Sequence, residues 1–242
     1  MASPRLGSAL PLTDLAGGPP GPGSLQASAR TIETLGYHSI WTFDAVGRGF
    51  MLPDPLMALT AVAGATERLE LGTGVLQLPI RNVAEVAHRA FTLQSMAPGR
   101  LLLGVGPGST ERDFEVFGGS YTERFRRFDE QWDELRTWMA EGALGERDLT
   151  PAPSLIGGPA LLLAGWRGRW VERAATESAG WIASAMYADD DGLADGLARF
   201  RDAGGGRAVV EHHDVVEAEL GQSEHPVDGG LQLRSDLEVG HH

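Results

Sequence analysis

Apolar residues in this chain change period repeatedly, and that rhythm limits the folds open to it more than any other feature. Short β-rich runs at 6–10, 39–43, 69–76, 101–105, 160–164, 181–185 and 208–212 are separated by longer stretches with apolar residues every three or four positions. A weaker eighth run lies at 231–233. Strands that alternate with helices pair in parallel, because a crossover helix returns the chain to the same edge of the sheet. Seven or eight such units in 242 residues predict an α/β fold: one TIM-type (β/α)8 barrel, abbreviated or incomplete at its C-terminal end. The barrel domain is placed at 1–212. Residues 213–242 are acidic and weakly patterned, and read as either a last barrel unit or a tail.

Helix boundaries carry their own signals. Asp54 stands before Pro55, an N-cap acceptor followed by the residue that loses nothing at the first helical position. Asn82 with Glu85, and Ser120 with Glu123, have capping-box spacing. Gly36 reads as a helix C-terminal glycine. After Ser120, residues Phe125, Phe128, Trp132, Leu135 and Met139 recur at three- and four-residue steps, so one face of that helix is apolar. Trp132 and Trp138 read there as core or interface. A Pro/Gly loop at 16–23 follows the first strand.

Charge and residue usage exclude several functions. The formal net charge is −13, whereas nucleic acids and anionic membranes select basic surfaces, so neither is an expected partner. Every one of the 20 cationic side chains is arginine; without lysine there is no Schiff-base chemistry and no P-loop lysine. Cysteine is absent, which removes disulfides, thiolate nucleophiles and Cys-based zinc sites. His212, His213, Asp214 and His225 match no zinc spacing, so no metal is expected. No run approaches a membrane span and the N-terminus lacks an apolar signal core, which predicts a cytoplasmic protein.

The segment LLLGVGPGSTERDF (101–114) resembles a dinucleotide-binding loop in outline, with Gly104, Gly106 and Gly108 at alternate positions. A Rossmann fingerprint leaves two residues between its second and third glycines, which would put a glycine where Ser109 stands, and it follows the first strand, not the fourth. At the C-terminal end of a barrel strand the same glycines have another use. Active sites assemble there, and bare backbone admits a flat ring or a phosphate. Gly106, Gly108 and Ser109 are read as part of such a site, and Gly104 as relief of crowding. Thr110 with Asp113 caps the next helix.

The order of "LGYHSIWTFD", "PDPLMALTAVAGATERLELGTGVLQLP", "EVAHRAFTLQSMAPGRLLLGVGPGS" and "ERFRRFDEQWDEL" resembles that of luciferase-like flavin-dependent oxidoreductases. The resemblance is dense from about residue 35 to 136 and continues more loosely through "PALLLAGWRGRWVERAATESAGWIASA". It implies a (β/α)8 barrel that uses reduced FMN or the deazaflavin coenzyme F420 on a small organic substrate. It further implies a homodimer and a separate flavin reductase as partners. Gly74-Val75 aligns with a position where relatives hold a non-proline cis peptide behind the flavin ring; the other reading is a glycine on a crowded strand. Asp44 aligns with an aspartate that many deazaflavin-using relatives follow with an acid/base histidine, but here Ala45 follows. Asp44 is therefore either catalytic or a cap for its loop.

Arg48 and Arg81 fall in strand-to-helix loops, where a guanidinium either pairs with a phosphate or acidic substrate or stays solvated. At Gly165, Trp166 and Arg167 a helix start and an arginine coincide, a second phosphate candidate. The missing histidine and the short chain leave open an alternative, a non-catalytic flavin-binding protein with a degenerate barrel. A third reading is a barrel without cofactor that acts through dimerisation.

Overall fold

The computed structural model describes residues 5–14, 17–47, 49, 51–166, 169–184, 189–211 and 215–219. Strands and helices alternate in the order the periodicity predicts: β1 (Arg5–Ala9), α1 (Ser24–Thr34), β2 (Ser39–Thr42), α2 (Pro55–Ala63), β3 (Glu70–Thr73) and β4 (Leu76–Gln77). Then follow α3 (Val83–Met96), β5 (Leu101–Gly106), α4 (Glu111–Val116), α5 (Arg124–Glu141), and a small hairpin of β6 (Ala143–Leu144) and β7 (Arg147–Asp148). The chain continues with β8 (Ala160–Ala164), α6 (Trp170–Glu177), β9 (Gly180–Ser184), α7 (Asp190–Asp202), β10 (Arg207–Glu211) and β11 (Val215–Glu219).

The main sheet closes on itself. β1 pairs with β2, β2 with β3, β3 with β5, β5 with β8, β8 with β9 and β9 with β10, all parallel. β11 then pairs antiparallel with both β10 and β1, which completes the ring. Only three residues separate β10 from β11, too few for a crossover helix, so the last strand returns in the opposite direction. The barrel is thus abbreviated in its final unit. The eighth run expected from the sequence, 231–233, lies outside the described residues, while Val215–Glu219 fills the gap in the wall.

Local chemistry explains most helix ends. The Asp54 carboxylate accepts from the Leu56 and Met57 N–H groups, and Asn82 Oδ1 accepts from Glu85 N–H. Gly36 takes the left-handed conformation after α1, with φ 86°. Two expected caps are not formed. α5 begins at Arg124, and Ser120 Oγ pairs with Thr122 Oγ1 instead of capping it. Thr110 precedes α4 without a side-chain cap, because Asp113 turns into the protein toward Gln77.

The apolar face of α5 buries Phe128, Trp132, Leu135 and Met139, as its spacing predicts, together with Trp138; Phe125, of the same stripe, is only half-buried and lies under the Arg124 guanidinium. Arg173 on α6 ties that helix down through Asp129, Asp133 and Glu177, and Glu177 also accepts from Trp132 Nε1 at 2.9 Å. At the N-terminal end of the barrel, Glu70 holds Arg5 and Arg207 at 2.9 and 2.7 Å.

Glu33 on α1 takes three backbone N–H groups, of Glu67, Arg68 and Leu69, on one carboxylate oxygen. Burial alone would raise its pKa, but those bonds and the Arg68 charge hold it below its ordinary value of 4.5. A depressed carboxylate contributes stability above its unfolded pKa and loses it as pH falls through the folded one. Denaturant melts from pH 7 to 3 are therefore expected to show a smaller acid loss for Glu33→Gln than for the parent, starting from lower stability at pH 7. Identical slopes would remove Glu33 from the acid sensitivity.

Candidate functional site

The barrel interior is built from inward residues that alternate along each strand. Trp41, Leu102, Leu162, Ile182 and Val209 form its apolar filling. Trp41 lies where side chains on Gly7 and Gly72 would overlap it, and its Nε1 donates to Ser39 Oγ at 2.8 Å. Nearer the C-terminal rim, the same inward rows continue with Phe43, Gly74, Gly104 and Gly106, Ala164 and Ser184. Phe43 aside, these rim positions are small, and Val75, Ala164 and Gly108 are partly open to solvent.

The Gly74-Val75 peptide is cis, as the resemblance implies. It separates β3 from β4, so the chain pairs with β5 on either side of it, Gly72 with Leu102 and Gln77 with Gly106. A Cβ on Gly106 would stand 2.8 Å from Val75 Cγ2 and 3.4 Å from Ala164 Cβ. Gly108 has φ 78°, which favours glycine, and a side chain there would overlap Gln77 Oε1. The exposed Ser109 is held by its carbonyl, which accepts from Tyr121 Oη at 2.9 Å.

Beneath this loop lies a buried polar cluster that joins residues far apart in sequence. Asp44, 7% exposed, accepts from Arg81 Nη2 at 2.7 Å and from Gln77 N–H at 3.0 Å. Gln77 Nε2 donates to the Asp44 carbonyl at 3.0 Å and to Asp113 Oδ2 at 2.8 Å. Asp113, fully buried, also accepts from Val46 N–H at 3.2 Å, which clamps the loop after β2 to the one after β5. Arg81 reaches Asp54 at 3.4 Å as well, so two carboxylates share its charge. Burial pushes the Asp44 carboxyl up, Arg81 and the Gln77 N–H pull it back, and the net result stays above its ordinary 3.8.

Two residues singled out separately, Asp44 and Arg81, thus meet in one ion pair. Gly74, Val75, Gly106, Gly108 and Ser109 share one rim. Trp166 turns inward instead: its Nε1 donates to the Ser184 carbonyl at 3.0 Å and its ring stands edge-on to Trp181 at 4.7 Å. The Gly165 carbonyl accepts from Trp181 Nε1 at 3.1 Å, which pins this turn. Arg48 and Arg167, together with His212, His213, Asp214 and His225, lie outside the described residues. Sequence reasoning missed three site residues. Gln77 and Asp113 gave no signal short of the fold, whereas Phe43, 42% exposed, shares Trp41's inward parity and was legible from strand alternation.

A closed, mostly parallel barrel with small residues along its C-terminal rim has the architecture of α/β barrels whose sites lie at that face. Comparison with known sequences is more particular. The family described as luciferase-like monooxygenase matches residues 6–212, and this chain belongs to that family. It is 33% identical over 108 residues to 4-hydroxyprotoasukamycin monooxygenase of Streptomyces nodosus subsp. asukaensis, covering 44% of this chain and 29% of that protein. It is 33% identical over 140 residues to the F420-dependent glucose-6-phosphate dehydrogenase of Kribbella flavida, covering 54% and 42%. The match thus spans less than half the length of either relative. In fold it is similar to the monooxygenase RslO1 of Streptomyces bottropensis, with a TM-score of 0.71 and 24% identity, over 83% of this chain and 65% of that one. Among the described residues no helix is long and apolar enough to cross a membrane, and no group of acidic residues and histidines is arranged to hold a metal.

Proposed function

We propose that this chain is a flavin-dependent monooxygenase that takes reduced FMN and a small organic substrate at the C-terminal mouth of its barrel. The observation that carries this reading is the rim of Gly74, Val75, Gly106, Gly108 and Ala164, where Val75, Gly108 and Ala164 are partly open to solvent and Gly106 has no room for a side chain against Val75. When bound, reduced flavin supplies the electrons that activate oxygen. The residues of the chain bind and orient it. Val75 and the Gly106–Ser109 loop would hold the ring, and the exposed face of Phe43 would offer an apolar wall that excludes water from the substrate side. Asp113 and Gln77 hold the loops after β2 and β5 in fixed relation, which keeps the cradle open. Arg167 and Arg48 supply the cationic side chains for the flavin phosphate. We place the protein in the cytoplasm as a homodimer served by a separate flavin reductase.

The deazaflavin coenzyme F420 is the other cofactor for this cradle, supported by the F420 dependence of the Kribbella flavida relative. It would bring hydride transfer without oxygen. Titration of the purified protein with FMN, reduced FMN and coenzyme F420, followed by fluorescence, distinguishes them. Saturable binding of FMN with substrate-dependent oxygen uptake is expected; binding of neither cofactor ends the flavin reading.

One observation favours a second reading. The Asp44 carboxylate is engaged by Arg81, Ala45 follows it, and the described histidines, His38 and His88, lie away from the rim, in the turn before β2 and in α3. A flavin-binding protein without turnover would have this rim. A stoichiometric flavin complex that consumes no oxygen with any substrate would establish it.

A further inference from the structure

A second concavity, about 340 Å³, opens beside the barrel mouth between the turn at Pro79–Asn82, the turn Phe117–Gly119 and the first turns of α5. Its lining is Pro79, Ile80, Arg81, Asn82, Phe117, Gly118, Gly119 and Arg127, with two guanidinium groups, one amide and no carboxylate among the described residues. That composition stands out in a chain of net charge −13, where arginines are usually matched. Arg127 is the unmatched one. Its guanidinium has no hydrogen bond or ion pair among the described residues, although its neighbour Arg126 is held by Glu123 and Glu130 at 3.1 and 2.8 Å. Arg30, Arg68 and Arg201, which also lack an ion pair among the described residues, are exposed, and the half-buried Arg100 and Arg124 donate to backbone carbonyls, whereas Arg127 is half-buried in the groove wall with no such partner. A partly desolvated cation without a counter-charge is costly unless a ligand supplies one.

The rest of the lining defines what the ligand is. Phe117 leaves half its surface open, and Pro79 and Ile80 add apolar wall, while Gly118 and Gly119 contribute no side chains to block it. We propose that this groove binds an oxyanion, carboxylate or phosphate, carried on a small apolar body, with Arg127 as its principal counter-charge. Guanidinium presents paired N–H donors that match either headgroup. Arg81 belongs both to this groove and to the Asp44 ion pair, so an anion seated here competes with Asp44 for the same guanidinium. The proposal is independent of flavin binding.

Calorimetric titration of the purified protein with benzoate and with phenyl phosphate, at constant ionic strength, tests it. Saturable binding is expected, weakened about tenfold or more by Arg127→Ala, as follows from loss of a charge-assisted hydrogen bond. Arg127→Lys should retain part of the affinity, and Arg126→Ala, outside the groove, should bind as the parent does. Tighter binding of benzoate assigns a carboxylate ligand and tighter binding of phenyl phosphate a phosphate ester; both support the site. Absence of saturable binding by either probe, or equal weakening by Arg126→Ala and Arg127→Ala, overturns it. Unchanged thermal unfolding of the variants separates loss of binding from loss of fold.

Discussion

Replacing Arg81 by alanine is expected to lower stability by about 3–5 kcal/mol at neutral pH, the cost of leaving one partner of a buried ion pair without the other. The Asp44 side chain is only 2% exposed and Arg81 only 12%, so water does not take over the lost contact. The pH dependence follows from sign. Burial already holds the Asp44 carboxyl above its ordinary 3.8, and Arg81 is the main influence that lowers it. Without that cation the folded value rises further, and an acid whose folded pKa is raised gains stability as pH falls, because the native state then binds more protons than the unfolded one. The deficit of Arg81→Ala should therefore be largest at neutral and alkaline pH and shrink toward acid, as Asp44 protonates. Adding Asp44→Asn to Arg81→Ala should recover much of the loss at pH 7. Urea melts of the parent and the single and double variants between pH 5 and 8 measure this. A deficit that is flat with pH and untouched by Asp44→Asn would show that the pair does not carry it.

The two inner glycines of β5 are expected to separate structure from site. A side chain on Gly104 would overlap the backbone carbonyl oxygen of Thr73 as well as the end of Ile182, and a strand carbonyl cannot move aside. Thr73 Oγ1 also donates to the Gly104 carbonyl at 2.7 Å, which locks the two strands at that point. Gly104→Ala should cost about 3 kcal/mol or more of stability by overpacking. Gly106 differs, because its nearest neighbour is Val75 Cγ2, the free end of a side chain that can turn. Gly106→Val should fold at a cost of about 1 kcal/mol, yet push Val75 into the cradle and weaken flavin binding about a hundredfold, roughly 3 kcal/mol of lost ring contact. Melting temperature and FMN affinity, measured for both variants, give the comparison. Equal flavin affinity of Gly106→Val and the parent would move the ring away from this cradle.

Much of the fold was legible because it rests on local chemistry. Seven strands stand within a residue or two of where the β-rich runs placed them, apart from a break at Gly74-Val75 that splits the third. The stripe from Phe128 to Met139 faces the sheet because a 3.6-residue period leaves it no other side. Asp54 and Asn82 cap their helices because an acceptor two or three residues from free N–H groups needs no tertiary help. Where a side chain had two possible partners, local reasoning failed. Asp113 has the spacing to serve Thr110's helix but turns 36 residues back to Gln77, and Ser120 leaves α5 without the cap its spacing suggested.

By itself, then, the order of residues determined a barrel of alternating strands and helices, an acidic protein without lysine or cysteine chemistry, and a glycine rim on the fourth strand unit. The tertiary structure decided the rest. It closed the ring with an antiparallel strand at Val215–Glu219, joined Asp44 to Arg81 across 37 residues, and set an unmatched Arg127 beside them. The division has one cause: periodicity and caps depend on neighbours within a helical turn, whereas counter-charges and strand closure depend on which distant segments the completed barrel brings together.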